Sequence, residues 1–139
     1  MRRIAVVPVL LVLLAGCTSQ GLTVADVWGR PPPSAATNAA FYLTINNGGE
    51  ADQLVSADSS ACGTAELHEM YDKGDGVMGM RPVEGIEIPA GGSVTLEPGG
   101  LHVMCIGRLA DFTPGDHVPL TLEFQNAGTI EVNATIRES

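Results

Sequence analysis

The sequence predicts an all-β domain, a sandwich or barrel of short strands, and three observations carry that reading. Apolar and β-branched runs of four to nine residues recur at near-regular spacing, divided by turn-forming clusters. The chain holds 17 glycines and 9 prolines, and no stretch repeats its apolar residues with helical period. Near the C-terminus, Pro119-Leu120-Thr121-Leu122-Glu123-Phe124 and Ile130-Glu131-Val132-Asn133-Ala134-Thr135-Ile136 alternate apolar with polar side chains, as half-buried strands do.

The chain opens with a targeting segment. Arg2 and Arg3 precede an apolar run from Ile4 to Leu14, shorter than the roughly 20 residues a membrane span needs. Leu14-Ala15-Gly16-Cys17 resembles a bacterial lipobox, which implies cleavage before Cys17 and lipidation of that cysteine. A secretory signal cut elsewhere is the alternative, and either reading exports the protein. Residues 1–16 are thus expected to be a lipoprotein signal peptide, 17–21 a lipid-anchored tether, and 22–139 the folded domain. The expected location is the extracytoplasmic face of a bacterial membrane, the periplasm where there is one.

The first strand is expected over 22–28, ending at Gly29, and Arg30-Pro31-Pro32-Pro33 then forbids helix or central strand. Ala39 to Asn46 is β-rich and closed by the turn signal Asn47-Gly48-Gly49. Further strands are predicted at 52–58, 64–71, 77–82, 84–88, 93–96, 101–107, 117–125 and 128–136. Turns separate several of them at Lys73-Gly74-Asp75-Gly76, Pro89-Ala90-Gly91-Gly92, Pro98-Gly99-Gly100, Pro114-Gly115-Asp116 and Asn126-Ala127-Gly128.

About 120 residues after cleavage suffice for a single domain with one core. Loss of Arg2 and Arg3 from the 7 basic residues leaves 5 against 16 acidic, a net charge of −11. Nucleic acid is thereby disfavoured as a partner, whereas a cation or a basic protein surface is attracted. With Cys17 lipidated, Cys62 and Cys105 remain in an oxidising compartment, where a disulfide is expected. A reactive thiol pair or a Cys105 copper thiolate are the alternatives. If the segment around Cys105 is a strand, Cys105 points away from the face that carries His102 and Met104.

The chemistry concentrates in three pairs: His68 and Met70, Met78 and Met80, His102 and Met104. Each pair is two residues apart, so on a strand both members project from one face. Imidazole and thioether together suit Cu(I), because thioether sulfur is a soft donor that hard cations do not select. Neutral ligands also hold Cu(I) less tightly than thiolates, which keeps release feasible. A blue-copper electron carrier would need a Cys thiolate with two His and a weak axial Met, and Cys105 directly after Met104 does not fit that arrangement.

The spacing His68, Met80, His102, Met104 resembles the His-Met-x10-Met-x21-His-x-Met signature of the PCu(A)C family of periplasmic copper chaperones, with Glu69 at the position of the family's optional Met. Val27-Trp28-Gly29-Arg30-Pro31-Pro32, Ala40 to Asn47, Leu67-His68-Glu69-Met70, Gly85 to Gly92 and Glu97 to Met104 also look like family landmarks, so the resemblance covers nearly the whole mature chain. It implies a cupredoxin-like β-sandwich with Greek-key connections that binds one Cu(I) per chain through His68, Met80, His102 and Met104. It further implies delivery to the binuclear copper site of cytochrome c oxidase, with oxidase subunit II or another copper-assembly protein as partner. Met70 and Met78 lie outside the signature and are possible auxiliary ligands, since thioethers on flexible stems adapt readily. The Cys62 and Cys105 pair is outside it too and would staple the two ligand-bearing strands.

A bland reading stands beside each of these. Met in a β-sandwich is usually core filler; His117, beside a turn, reads as solvated; Trp28 reads as a packing anchor; the scattered Asp and Glu read as a solvated surface. No nucleophile with an arranged base and no Cys-x-x-Cys motif is present, so an enzyme is not expected. The competing functions are a copper-buffering or resistance lipoprotein without a dedicated recipient, and a metal-free binding module.

Overall fold

A computed structural model describes residues 21–139; the expected signal segment and Cys17 lie outside the described residues. Ten strands follow one another: β1 (Leu22–Gly29), β2 (Ala39–Asn47), β3 (Asp52–Asp58), β4 (Cys62–Asp72), β5 (Met78–Pro82), β6 (Ile86–Ile88), β7 (Ser93–Leu96), β8 (His102–Arg108), β9 (His117–Phe124) and β10 (Gly128–Ile136). No helix occurs among the described residues. Every predicted strand is present, and the turn clusters fall between strands.

The strands form one hydrogen-bonded path, β5-β4-β8-β2-β1-β10-β9-β3-β6, with β7 paired to β2 beside it. Strand β2 takes β8 along Ala39 to Phe41 and β7 along Leu43 to Asn46. The register of β1 against β2 shifts between Ala25 and Trp28, where Asp26 adopts φ 49°. Such a bulge bends a strand and sharpens its twist. Beyond it, Trp28 and Gly29 pair with Tyr42 and Phe41 on one side and, in parallel, with Thr135 and Ile136 on the other. β1 therefore carries the ladder from one layer of the sandwich to the other. Gly29 is required at this crossing, because a Cβ there would lie 2.7 Å from the Phe41 ring and 3.1 Å from Ile136.

The two layers share one core. Phe41, Leu43 and Ile45 of β2, Leu67 of β4 and Val103 of β8 pack with Leu54, Leu122, Phe124 and Ile136 from β3, β9 and β10. The alternation in β9 places Val118, Leu120, Leu122 and Phe124 inside and the intervening residues outward or at the margin. Each fully buried Leu, Ile or Phe contributes about 1.5–3 kcal/mol over exposure.

Strand β4 starts at Cys62, two residues before the predicted boundary, because Cys62 pairs with Arg108 and is bonded to Cys105. The Cys62–Cys105 disulfide spans 5.4 Å between Cα atoms and links the adjacent strands β4 and β8. Neither cysteine is free as a thiol or a metal ligand. Strand β6 begins two residues later than predicted, with Gly85 packed against Gln53. Reading the acidic residues as wholly solvated is corrected at Asp52, which is buried and accepts backbone N–H bonds from Gln53 (2.7 Å), Asn126 (2.9 Å) and Ala127 (2.8 Å). Burial raises its carboxyl's pKa, but the three donors outweigh that and leave it below the ordinary value.

Candidate metal centre

The antiparallel ladder of β2, β8, β4 and β5 decides which side chains meet. Leu67 pairs with Val103 and both enter the core, so the neighbouring pair His68 and His102 faces outward. The same outer face carries Met104, paired with Glu66 and Ala40, and Met70, paired with Met80. Met78, opposite Asp72, belongs to this face as well. All six residues singled out by their spacing thus share one side of one sheet, and Cys105 lies on the other.

Outward-facing does not mean exposed here. His68 and His102 are 7% and 4% exposed and Met104 8%, while Met80 and Met78 on the edge strand β5 are 49% and 50% exposed. Tyr42 and Trp28 wall the inner side: the Tyr42 ring lies 6.5 Å from that of His102 and 4.8 Å from that of Trp28. Burial raises the Tyr42 phenol's pKa, with Arg30 partly offsetting it, so the wall stays uncharged. Trp28 is indeed buried, and the Arg137 guanidinium sits 4.9 Å over its ring. His117 is exposed on β9, near Thr135, and takes no part.

The two imidazoles have ring centroids 5.6 Å apart. His102 Nδ1 is 3.1 Å from the Gly100 carbonyl oxygen, which can only accept, so Nδ1 carries the proton. His68 Nε2 is 2.7 Å from Glu66 Oε2, and an ionised carboxylate likewise only accepts. The remaining nitrogens, His68 Nδ1 and His102 Nε2, are buried without any hydrogen-bond partner. Two orphaned polar nitrogens beside one another are costly in a protein interior unless something else engages them. Burial, reinforced by the neighbouring His68 and opposed by the Gly100 hydrogen bond, lowers the His102 pKa, so its imidazole is neutral at pH 7.

Two unpartnered imidazole nitrogens with thioethers on the same face offer an N and S donor set. Among the described residues no three His, Cys, Asp or Glu side chains converge, and the soft donors on this face are methionine sulfurs. Thioether sulfur suits a soft metal ion better than Mg²⁺ or Ca²⁺. Sequence reasoning put the six His and Met residues in pairs on strand faces and missed the hydrogen-bond partners of the two imidazoles. Spacing puts Glu66 on the His68 face, but whether its carboxylate reaches the ring is set by the fold. The Gly100 carbonyl was not legible, because a backbone atom leaves no mark in the sequence.

Fold and site together define a PCu(A)C-type β-sandwich domain, and solved structures agree. The apo PCuAC domain from PmoF1 superposes with a TM-score of 0.72 at 28% identity, covering 85% of this chain and 94% of that one. The solution structure of CuI-DR1885 from Deinococcus radiodurans gives 0.71 at 28% identity over 90% and 84%. The copper-bound PCuAC domain from PmoF2, at 23% identity and TM-score 0.72 over 85% and 93%, shares the fold. The family described as "Putative lipoprotein LpqE-like" matches residues 22–136, and the chain belongs to it. A "Putative lipoprotein Lxx21020" from Leifsonia xyli subsp. xyli is 32% identical over 123 residues, 88% of this chain and 74% of that protein.

Proposed function

We propose that this protein is an extracytoplasmic, lipid-anchored Cu(I) metallochaperone that carries one copper ion on His68, Met80, His102 and Met104 for assembly of the binuclear copper site of cytochrome c oxidase. The observation that carries the proposal is the pair of buried, unpartnered nitrogens, His68 Nδ1 and His102 Nε2, on one sheet face with Met104 and Met80. The CuI form named in the solved DR1885 structure, 28% identical, supports the cargo. The relatives' description as lipoproteins and the Cys17 motif support the anchor.

The chain's own groups suit carriage rather than catalysis. His68, His102 and Met104 form a buried, fixed side of the site. Met80 sits half-exposed on an edge strand, where the ligand of a recipient can reach it. Exchange would begin there, the recipient's donor replacing Met80 before the imidazoles let go. Met70 and Met78 flank Met80 on the same face and supply spare thioethers during exchange.

Deleting the gene should lower cytochrome oxidase activity when copper is scarce. The wild-type gene should restore it and a His102→Ala version should not. Unchanged oxidase activity combined with raised copper sensitivity would replace delivery by buffering.

A further inference from the structure

We propose that Glu66 is the positioning residue of this site: its carboxylate holds the proton of His68 on Nε2 and thereby presents Nδ1 to the metal. The inference deepens the copper-carrier reading and rests on it for its affinity arm alone. The sequence signature contains no residue at this position, and the role follows from three observations.

First, Glu66 Oε2 lies 2.7 Å from His68 Nε2, a short charge-assisted contact. Second, the other nitrogen, Nδ1, is buried with no partner, so the two nitrogens are sharply distinguished. Third, the two histidines are oriented in opposite senses by different acceptors. Gly100 ties His102 through Nδ1 and leaves Nε2, while Glu66 ties His68 through Nε2 and leaves Nδ1. An ε-nitrogen from β8 and a δ-nitrogen from β4 can then meet over adjacent strands whose rings are 5.6 Å apart. With the opposite tautomer, the N–H of His68 would point at the site and its lone pair at a carboxylate.

Glu66 stands opposite Met104 in the ladder, and its side chain is 41% exposed, so it touches the ring without filling the site. It also places one negative charge near a donor set that is otherwise neutral. Carboxylates bonded to the outer nitrogen of a ligating histidine fix its tautomer and raise its basicity, and their loss typically costs about 10–100-fold in metal affinity.

The test uses the metal-free chain from Thr18 to Ser139, which contains every described strand and the whole core, with its Glu66→Ala and Glu66→Gln variants. Long-range ¹H–¹⁵N spectra at pH 7.5 report which imidazole nitrogen carries the proton. The wild type should show His68 protonated on Nε2 and His102 on Nδ1. Glu66→Ala should mix the His68 tautomers, leave His102 unchanged and weaken Cu(I) binding about tenfold. Glu66→Gln, which still offers an acceptor oxygen, should restore both readouts. An unmoved tautomer in Glu66→Ala, a wild-type His68 protonated on Nδ1, or a Gln variant as weak as Ala would each overturn the proposal. Absence of Cu(I) binding in all three proteins would instead refute the carrier reading, since the tautomer data need no metal.

Discussion

Removing the Cys62–Cys105 disulfide should cost this domain about a third or more of an ordinary domain's stability while leaving the metal face in register. The bond joins residues 43 positions apart. Closing a loop of that length removes about 13 cal/mol/K of chain entropy from the unfolded state, about 4 kcal/mol at 25 °C. The sulfur of Cys105 is fully buried, so truncation to Ala adds about 1 kcal/mol for the small void it leaves. For a domain of this size the Cys62→Ala/Cys105→Ala variant, about 5 kcal/mol less stable, should therefore melt roughly 20 °C below the wild type. Urea denaturation of the two proteins gives the free-energy difference, and the wild type in reductant should approach the variant. The ladder from Thr64 and Ile106 through Leu67 and Val103 to His68 and His102 does not depend on the bond. Cu(I) affinity of the folded variant should thus stay within about threefold of wild type, because the register holding the two imidazoles persists. A stability loss under about 1 kcal/mol would refute the loop-closure argument, and loss of copper binding in a still-folded variant would show that the disulfide shapes the site itself.

Other consequences are as direct. His102→Ala or Met104→Ala should weaken Cu(I) binding by at least about tenfold while His117→Ala leaves it unchanged; equal losses in chelator competition would remove the ligand assignment. Met78→Leu should leave equilibrium affinity within about threefold and slow transfer to a competing chelator in stopped-flow mixing, whereas Met80→Leu should lower affinity as well. Because its folded-state pKa is depressed, Asp52 stabilises fully above the ordinary carboxyl value of 3.8, and that contribution is lost as the pH falls through the lower folded value. Asp52→Asn, which turns an N–H toward a backbone donor, should cost about 1–2 kcal/mol in urea at pH 6. The gap should narrow near pH 3; a gap that is constant with pH would contradict the sign.

Much of this architecture was legible in the chain because strand ends coincide with residues that cannot continue a ladder. Pro31 to Pro33, Gly48-Gly49, Gly91-Gly92 and Gly99-Gly100 each stop one strand and admit the next. The two-residue spacing of His68 and Met70, and of His102 and Met104, was enough to place each pair on one face. Which strands would be neighbours was not legible. The parallel pairing of β1 with β10, 107 positions apart, and the sharing of β2 between β7 and β8, 47 to 66 positions apart, join segments far from one another in sequence. The roles of Asp52 and Glu66 stayed hidden for a related reason. A carboxylate's worth depends on the donors folding brings to it, here three backbone amides and one imidazole.

The most direct test of the copper site is an anaerobic competition titration of the chain from Thr18 to Ser139 against a chromogenic Cu(I) chelator. One equivalent of copper should be withdrawn by the wild type and none by a folded His68→Ala/His102→Ala variant. Failure of the wild type to withdraw copper, or full retention by the double variant, would contradict the assignment of these histidines as the fixed side of a Cu(I) site.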